Sequence, residues 1–290
     1  MKHNKLLILC LVFSMMHSLK TEAKNLDVNK GVFTLSSGEY EIDISSECKY
    51  TIRSIKYENY YLCPSVGYNA TVIIPEGGKF IGAGHTEGGE EQVESIEFSV
   101  DGKKISPAPG EKYSGQKIIL KKTSTLDKLR LVSVLTLTPE CITENKQFEA
   151  VEAQKISLMY IFFYCWNKTT TDWYAELADN KKLSGTFKDD RSYHLKKDIK
   201  WAAEYDNSSQ KGVIMYYPSV IPGKGIKSTF WDVGGIYHKY YHQLDIPLSL
   251  PKGFKSPAMT IILKGFSASP DNWKTEVEKN TEDLNSLKVN

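Results

Sequence analysis

Alternation of apolar and polar residues with a period of two runs through most of this chain and confines it to β structure. Val32-Phe-Thr-Leu, Tyr40-Glu-Ile-Asp-Ile, Tyr50-Thr-Ile-Arg-Ser-Ile, Ala70-Thr-Val-Ile-Ile and Ser95-Ile-Glu-Phe-Ser-Val all read as strands. The series continues at 117–122, 129–137, 141–150, 156–166, 213–217 and 259–266, and Asp101-Gly102 marks a hairpin turn. Helical periodicity is clear only from Trp273 to Leu287. More than about a dozen strands in one continuous domain, with no Pro/Gly/Ser linker, predict an all-β fold: a large antiparallel β-sandwich of the supersandwich kind with a short C-terminal helix.

The first 23 residues read as a signal peptide, with Lys2 and Lys5 ahead of the apolar run Leu6–Phe13 and a small-residue site at Thr21-Glu22-Ala23. That run is too short to span a membrane. Residues 24–290 then form the working domain, expected to be secreted or periplasmic. A net charge of +2 gives no broad pull on nucleic acid or membrane. Of the four cysteines in that domain, Cys48 and Cys63 are the easiest to pair, and Cys165 reads as a buried thiol.

Three clusters carry candidate chemistry. The glycine-rich stretch 75–92 holds His85 and Glu87, two apart and on one face if extended, followed by Glu90 and Glu91. The stretch 158–173 alternates aromatics, placing Tyr160, Phe162, Tyr164 and Trp166 on one face. Trp166, Lys168, Asp172 and Trp173 at its end are ligand candidates. The stretch 229–243 has Trp231 and Asp232, then places Tyr237, Lys239 and Tyr241 on one face and His238, Tyr240 and His242 on the other. A His, Tyr, His row is costly to bury without partners, so it is expected in a wet groove. His194 stands apart, with Arg191 beside it as a possible carboxylate clamp.

There is no Gly-x-Ser-x-Gly elbow. Histidine and tyrosine outweigh acids in these clusters, which favours proton abstraction beside a carboxylate followed by β-elimination from a uronic acid. His238 or His85 would be the base, and Tyr240 or His242 the acid. Glu87 would orient His85. Trp166, Trp173 and Trp231 would stack on sugar rings, and Lys239 or Arg191 would neutralise the carboxylate, with Lys168, Asp172 and Tyr237 contributing contacts. The partner is an oligosaccharide or polysaccharide. No cofactor is required, and His85, Glu87 and Glu91 are the residues available to a divalent ion.

The Gly-His-Thr-Glu-Gly-Gly block at 84–89 and the Tyr-His-Lys-Tyr-Tyr-His block at 237–242 resemble those of secreted carbohydrate lyase-like proteins, most closely the ulvan oligosaccharide dehydratases of marine polysaccharide-degrading bacteria. The resemblance implies loss of water across C4–C5 of a terminal uronate. A chain-cleaving polysaccharide lyase, a glycosidase using two of Glu87, Glu91, Asp172 and Asp232, and a non-catalytic carbohydrate-binding protein remain alternatives. The segment from Glu152 to Tyr164 is similar to the strand of mutarotase-like supersandwich proteins that precedes their catalytic His. Here Tyr, Ile and Phe occupy the local positions, so the likeness implies the fold and not epimerase activity.

Overall fold

A computed structural model describes residues 30–219, 227–244 and 248–286. The signal-peptide expectation lies outside these residues. Three sheets, almost wholly antiparallel, and one C-terminal helix make up the described chain, as the alternation requires. One sheet has five strands, from Val32–Ser37 to Lys112–Ser114, and includes the one parallel pairing among the described strands. The second has ten strands and runs from Lys182–Thr186 at one edge to Lys103–Lys104 at the other. The third is built on the long strand Gln154–Asn167, which pairs with Tyr237–Leu244, Leu248–Leu250 and Val72–Pro75. Beyond Tyr237–Leu244 lie Lys227–Val233 and then Tyr193–Lys197 at the edge.

Strict alternation puts one apolar face of each strand into a shared core. Phe33, Leu35, Ile42, Ile55, Leu120, Leu131, Phe162 and Met215 all belong to it. Each such side chain contributes roughly 1.5–3 kcal/mol when fully buried. At Asp101-Gly102 both residues have positive φ, 48° and 80°, the backbone of a two-residue hairpin.

The alternation misses the strands Asp172–Leu177, Lys182–Thr186 and Ile199–Asp206. Ile199–Asp206 is buried along nearly its whole length because both of its faces are covered. One face meets the core. The other lies under the helix Trp273–Ser286, whose Trp273, Val277 and Leu284 cover Trp201, Tyr205 and Phe266. The Trp273 ring stacks on Tyr205 with 5.0 Å between centroids. A strand covered twice loses its period-two signal.

The core also holds charge. In Ile142–Ala150 the inward positions include Glu144 and Lys146, and Lys122 points the same way from Ile118–Leu126. Lys146 pairs with Glu144 at 3.2 Å, Lys122 with Glu91 at 2.7 Å, and the Tyr164 hydroxyl donates to Glu144. Burial pushes the Lys146 ammonium down, against the pull of Glu144. Glu91, Lys122, Glu144 and Lys146 line a small cavity of about 40 Å³. Glu91 is therefore turned inward to Lys122 and does not join His85 and Glu87 as a metal ligand.

All four described cysteines are buried and free, so the expected Cys48–Cys63 bridge is not formed. Cys63 instead points its thiol at the Cys165 carbonyl, 2.8 Å away, and to Asn69. Cys165 is the buried thiol its apolar setting implied. Its sulfur lies against Gly67, where a Cβ would stand 2.3 Å from it. Gly67→Ala is expected to cost about 1–3 kcal/mol through overpacking. A urea denaturation midpoint unchanged from the parent would contradict that packing.

Candidate functional site

The third sheet separates the two faces of the candidate strand as its alternation dictates, but the wet face is the opposite of the one expected. Register places His238, Tyr240 and His242 beside Trp166, Tyr164 and Phe162 on one side, and beside Asp232, Phe230 and Ser228 on the other. All of these side chains are buried. The His/Tyr row faces the core.

Its polar groups are met from within. Tyr240 shares its hydroxyl with Tyr217 at 2.5 Å and Ser228 at 2.9 Å. His242 Nδ1 meets Ser228 at 2.7 Å, while Nε2 has no partner. Burial alone pushes the His242 imidazole down to about 3, so it stays neutral near pH 7. His238 stacks on Phe187 at 4.0 Å. Its Nδ1 contacts Asp232 at 2.6 Å and its Nε2 donates to the carbonyls of Thr170 and Lys168 at 3.1 and 3.2 Å. With acceptors on both nitrogens and no solvent path, His238 is not placed to take a proton from a saccharide.

Asp232 is the hub beneath this face. Its Oδ2 accepts from His194 Nε2 at 2.6 Å and from the amides of Asp189 and Lys188 at 2.8 and 3.2 Å. Burial opposes its ionisation, but the hydrogen bonds from His194 and His238 outweigh that and hold the carboxyl below the usual carboxylate range. Asp190, His194 and Asp232 each offer a ligand atom within 4.8 Å of the others. Oδ2 already accepts three hydrogen bonds, so the cluster is satisfied as a polar hub. The sequence singled out His238 and His194 separately. Their common carboxylate is a product of strand pairing.

The other face forms a groove of about 340 Å³. Tyr160, Phe163 and Tyr241 line it from the two central strands, Trp231 and Tyr193 from the edge, and Val72, Phe80 and His85 from the glycine-rich side, with Lys239 among them. Tyr160 lies 4.3 Å from Tyr241 between ring centroids, and Tyr193 stacks on Trp231 at 6.0 Å. Tyr193 is 59% exposed, an open wall. Lys239 holds its ammonium 4.9 Å from the Phe163 ring centroid and 5.4 Å from that of Trp231.

A bulge explains why Tyr160 and Phe163 share this face. The register shifts between Tyr160 and Phe162, so one residue is inserted and the alternation inverts. The expected row Tyr160, Phe162, Tyr164, Trp166 is thereby cut. Tyr160 stays outside, and the other three turn inward. Trp166 is wholly buried with its Nε1 unpartnered, so it is no platform for a sugar.

The remaining expected residues scatter. His85 reaches the groove, stacked on Phe80 at 4.9 Å, with Nδ1 at 3.1 and 3.2 Å from the two Glu87 oxygens. Trp173 is buried in the ten-stranded sheet, and Asp172 accepts from Asn207 and Thr171. Lys168 donates to the Gly235 carbonyl. Arg191 adopts a positive φ of 61° and accepts the Trp231 Nε1–H on its carbonyl, so its backbone, not its guanidinium, serves the groove wall. Tyr237 is half-buried and lies outside the groove lining. Phe80 and Tyr193 were not among the expected residues. Each stands alone in its segment and carries no periodic signal.

No protein-family model matches the chain, and no curated protein matches it in sequence. In fold it is similar to the galactosidase domain of the α-galactosidase-sucrose kinase AgaSK, with a TM-score of 0.57 at 8% identity over 83% of this chain and 41% of that one. The GH36 α-galactosidase AgaA from Geobacillus stearothermophilus gives 0.53 at 8% identity over 82% and 41%. A galactose mutarotase related enzyme from Lactobacillus acidophilus gives 0.49 at 10% identity over 82% and 98%. The chain thus spans about two fifths of the length of the two galactosidases. The two structures with a TM-score above 0.5 are galactosidases, not lyases, which overturns the expected carbon–oxygen lyase. The base and acid assigned to it from the His238, Tyr240, His242 row are sealed in the core.

Proposed function

We propose that this chain binds a saccharide in the aromatic groove and does not turn it over. The observation that carries the reading is the lining itself. Phe80, Tyr160, Tyr193 and Trp231 present partly exposed rings to a pyranose above the buried rings of Phe163 and Tyr241, and none of the nine lining residues is a carboxylate. A glycosidase of the usual kind needs two carboxyl groups flanking one bond. The four acids available for that role are dispersed: Glu91 is on Lys122, Asp232 under the sheet, Asp172 on Asn207, and Glu87 against His85. A groove of this volume suits a small ligand or one to two sugar units of a longer chain. Solved galactosidases that share this fold support a carbohydrate setting, and the signal-like N-terminus supports an exported one.

A glycan array tests this directly. The parent chain is expected to retain at least one family of glycans, with no shortened or unsaturated product detected by mass. Trp231→Ala is expected to weaken binding at least about tenfold, or about 1.4 kcal/mol, as for a central aromatic contact. Tyr193→Ala, at the exposed wall, is expected to weaken it less and leave the unfolding temperature unchanged. Glycan binding that survives both substitutions would place the site elsewhere.

A further inference from the structure

Among the described residues, the Lys239 ammonium has no carboxylate beside it, only aromatic rings. The two deeply buried lysines of the core each have a carboxylate, Glu91 for Lys122 and Glu144 for Lys146. Lys239 is half-buried and, among the described residues, pairs with none. Its neighbours are uncharged. Burial pushes the Cys165 thiol up to about 12 and raises the phenols of Tyr160 and Tyr241, so all three remain protonated. Glu87, the acid nearest in sequence to the groove residue His85, has both oxygens turned to the His85 ring. The faces of Phe163 and Trp231 attract the ammonium but do not neutralise it. A cation kept out of water without an anion is costly, and a ligand anion removes that cost.

We infer that the groove selects an acidic saccharide, with the carboxylate or sulfate ester of the sugar seated on the Lys239 ammonium and its ring against the aromatic walls. The inference rests on the groove being the saccharide site. Lys239 supplies charge, and the walls supply the ring contact, so the two contributions are separable.

The experiment is an affinity comparison, by calorimetry, of backbones retained on the glycan array, each in neutral, uronate and sulfated versions. The parent chain is expected to bind an acidic version about tenfold or more tightly than its neutral counterpart at low salt, with the gap narrowing as salt is raised. The uronate and sulfate arms identify which anion is taken. Lys239→Met is expected to abolish the gap between acidic and neutral versions, and Lys239→Arg is expected to keep it. Equal affinity for neutral and acidic versions in the parent chain, or a preference that survives Lys239→Met, overturns this inference and leaves the groove reading standing. Binding of no backbone in any version overturns the groove reading and the inference with it. The parent comparison decides even if the Met variant fails to fold.

Discussion

Asp232→Ala is expected to destabilise the chain by about 3–5 kcal/mol, the cost of breaking a buried charged pair from one side. The carboxylate is wholly buried and holds His194, His238 and the amides of Lys188 and Asp189. Removing it leaves several donors facing a void in a region from which water is excluded. The damage reaches the groove, because Trp231 is the neighbour of Asp232 and Tyr193 the neighbour of His194. Urea denaturation of the variant beside its parent measures the loss. Asp232→Asn separates charge from shape and is expected to fall between the two. A loss below about 1 kcal/mol for the alanine variant would mean that the two histidines find other partners and that the hub does not hold the edge strands.

Acid is expected to weaken the fold in two steps. His242 is pushed from its ordinary 6.5 to about 3 by burial. Its folded-state value lies below its unfolded one, so the unfolded chain takes up the proton first. The stability tied to this residue is complete above about pH 6.5 and is lost progressively as pH falls toward 3, by up to roughly 5 kcal/mol. Asp232 is also held below its ordinary value, so its contribution is present above about pH 4 and fades below that. The windows differ, which allows the two groups to be told apart. His242→Phe is expected to flatten the stability profile between about pH 6.5 and 4 while leaving the lower step. At pH 7.5 the variant is expected to be within about 1 kcal/mol of its parent, since the lost bond to Ser228 is offset by removal of the unpartnered Nε2. A parent profile that is flat from pH 7 to 4 would contradict the neutral, buried His242.

The proposed saccharide contact at Lys239 and the acid sensitivity expected from His242 lie on opposite faces of one strand. That division into two faces was legible. Tyr237, Lys239 and Tyr241 are separated from His238, Tyr240 and His242 by the period of a β-strand, and the structure keeps the separation. Which set meets water was not legible, because both sets are polar and aromatic. A strand with apolar residues on one side declares its buried face, whereas this one does not. The lyase expectation grew from the wrong choice between the two. Glu144 and Lys146 are hidden differently, taking inward positions in a strand whose other inward residues, Ile142, Phe148 and Ala150, are apolar.

What the sequence by itself determined is the β class, most of the long strands, the Asp101-Gly102 hairpin and the C-terminal helix, because each rests on contacts a few residues apart. What only the tertiary structure decided is the site. The bulge after Tyr160 inverts one strand, and Glu144 and Lys146 of the ten-stranded sheet, with Tyr217 just past its strand Lys211–Tyr216, meet the face that looks wet in sequence. Asp232 gathers His194 from 38 positions away in the chain. The groove joins Phe80, Tyr160, Tyr193 and Trp231 from four separate segments. Periodicity reports the direction of a side chain relative to its own strand. It carries no information about which other strand, sheet or helix lies over that side chain, and burial, ion pairing and the shape of a groove depend on that.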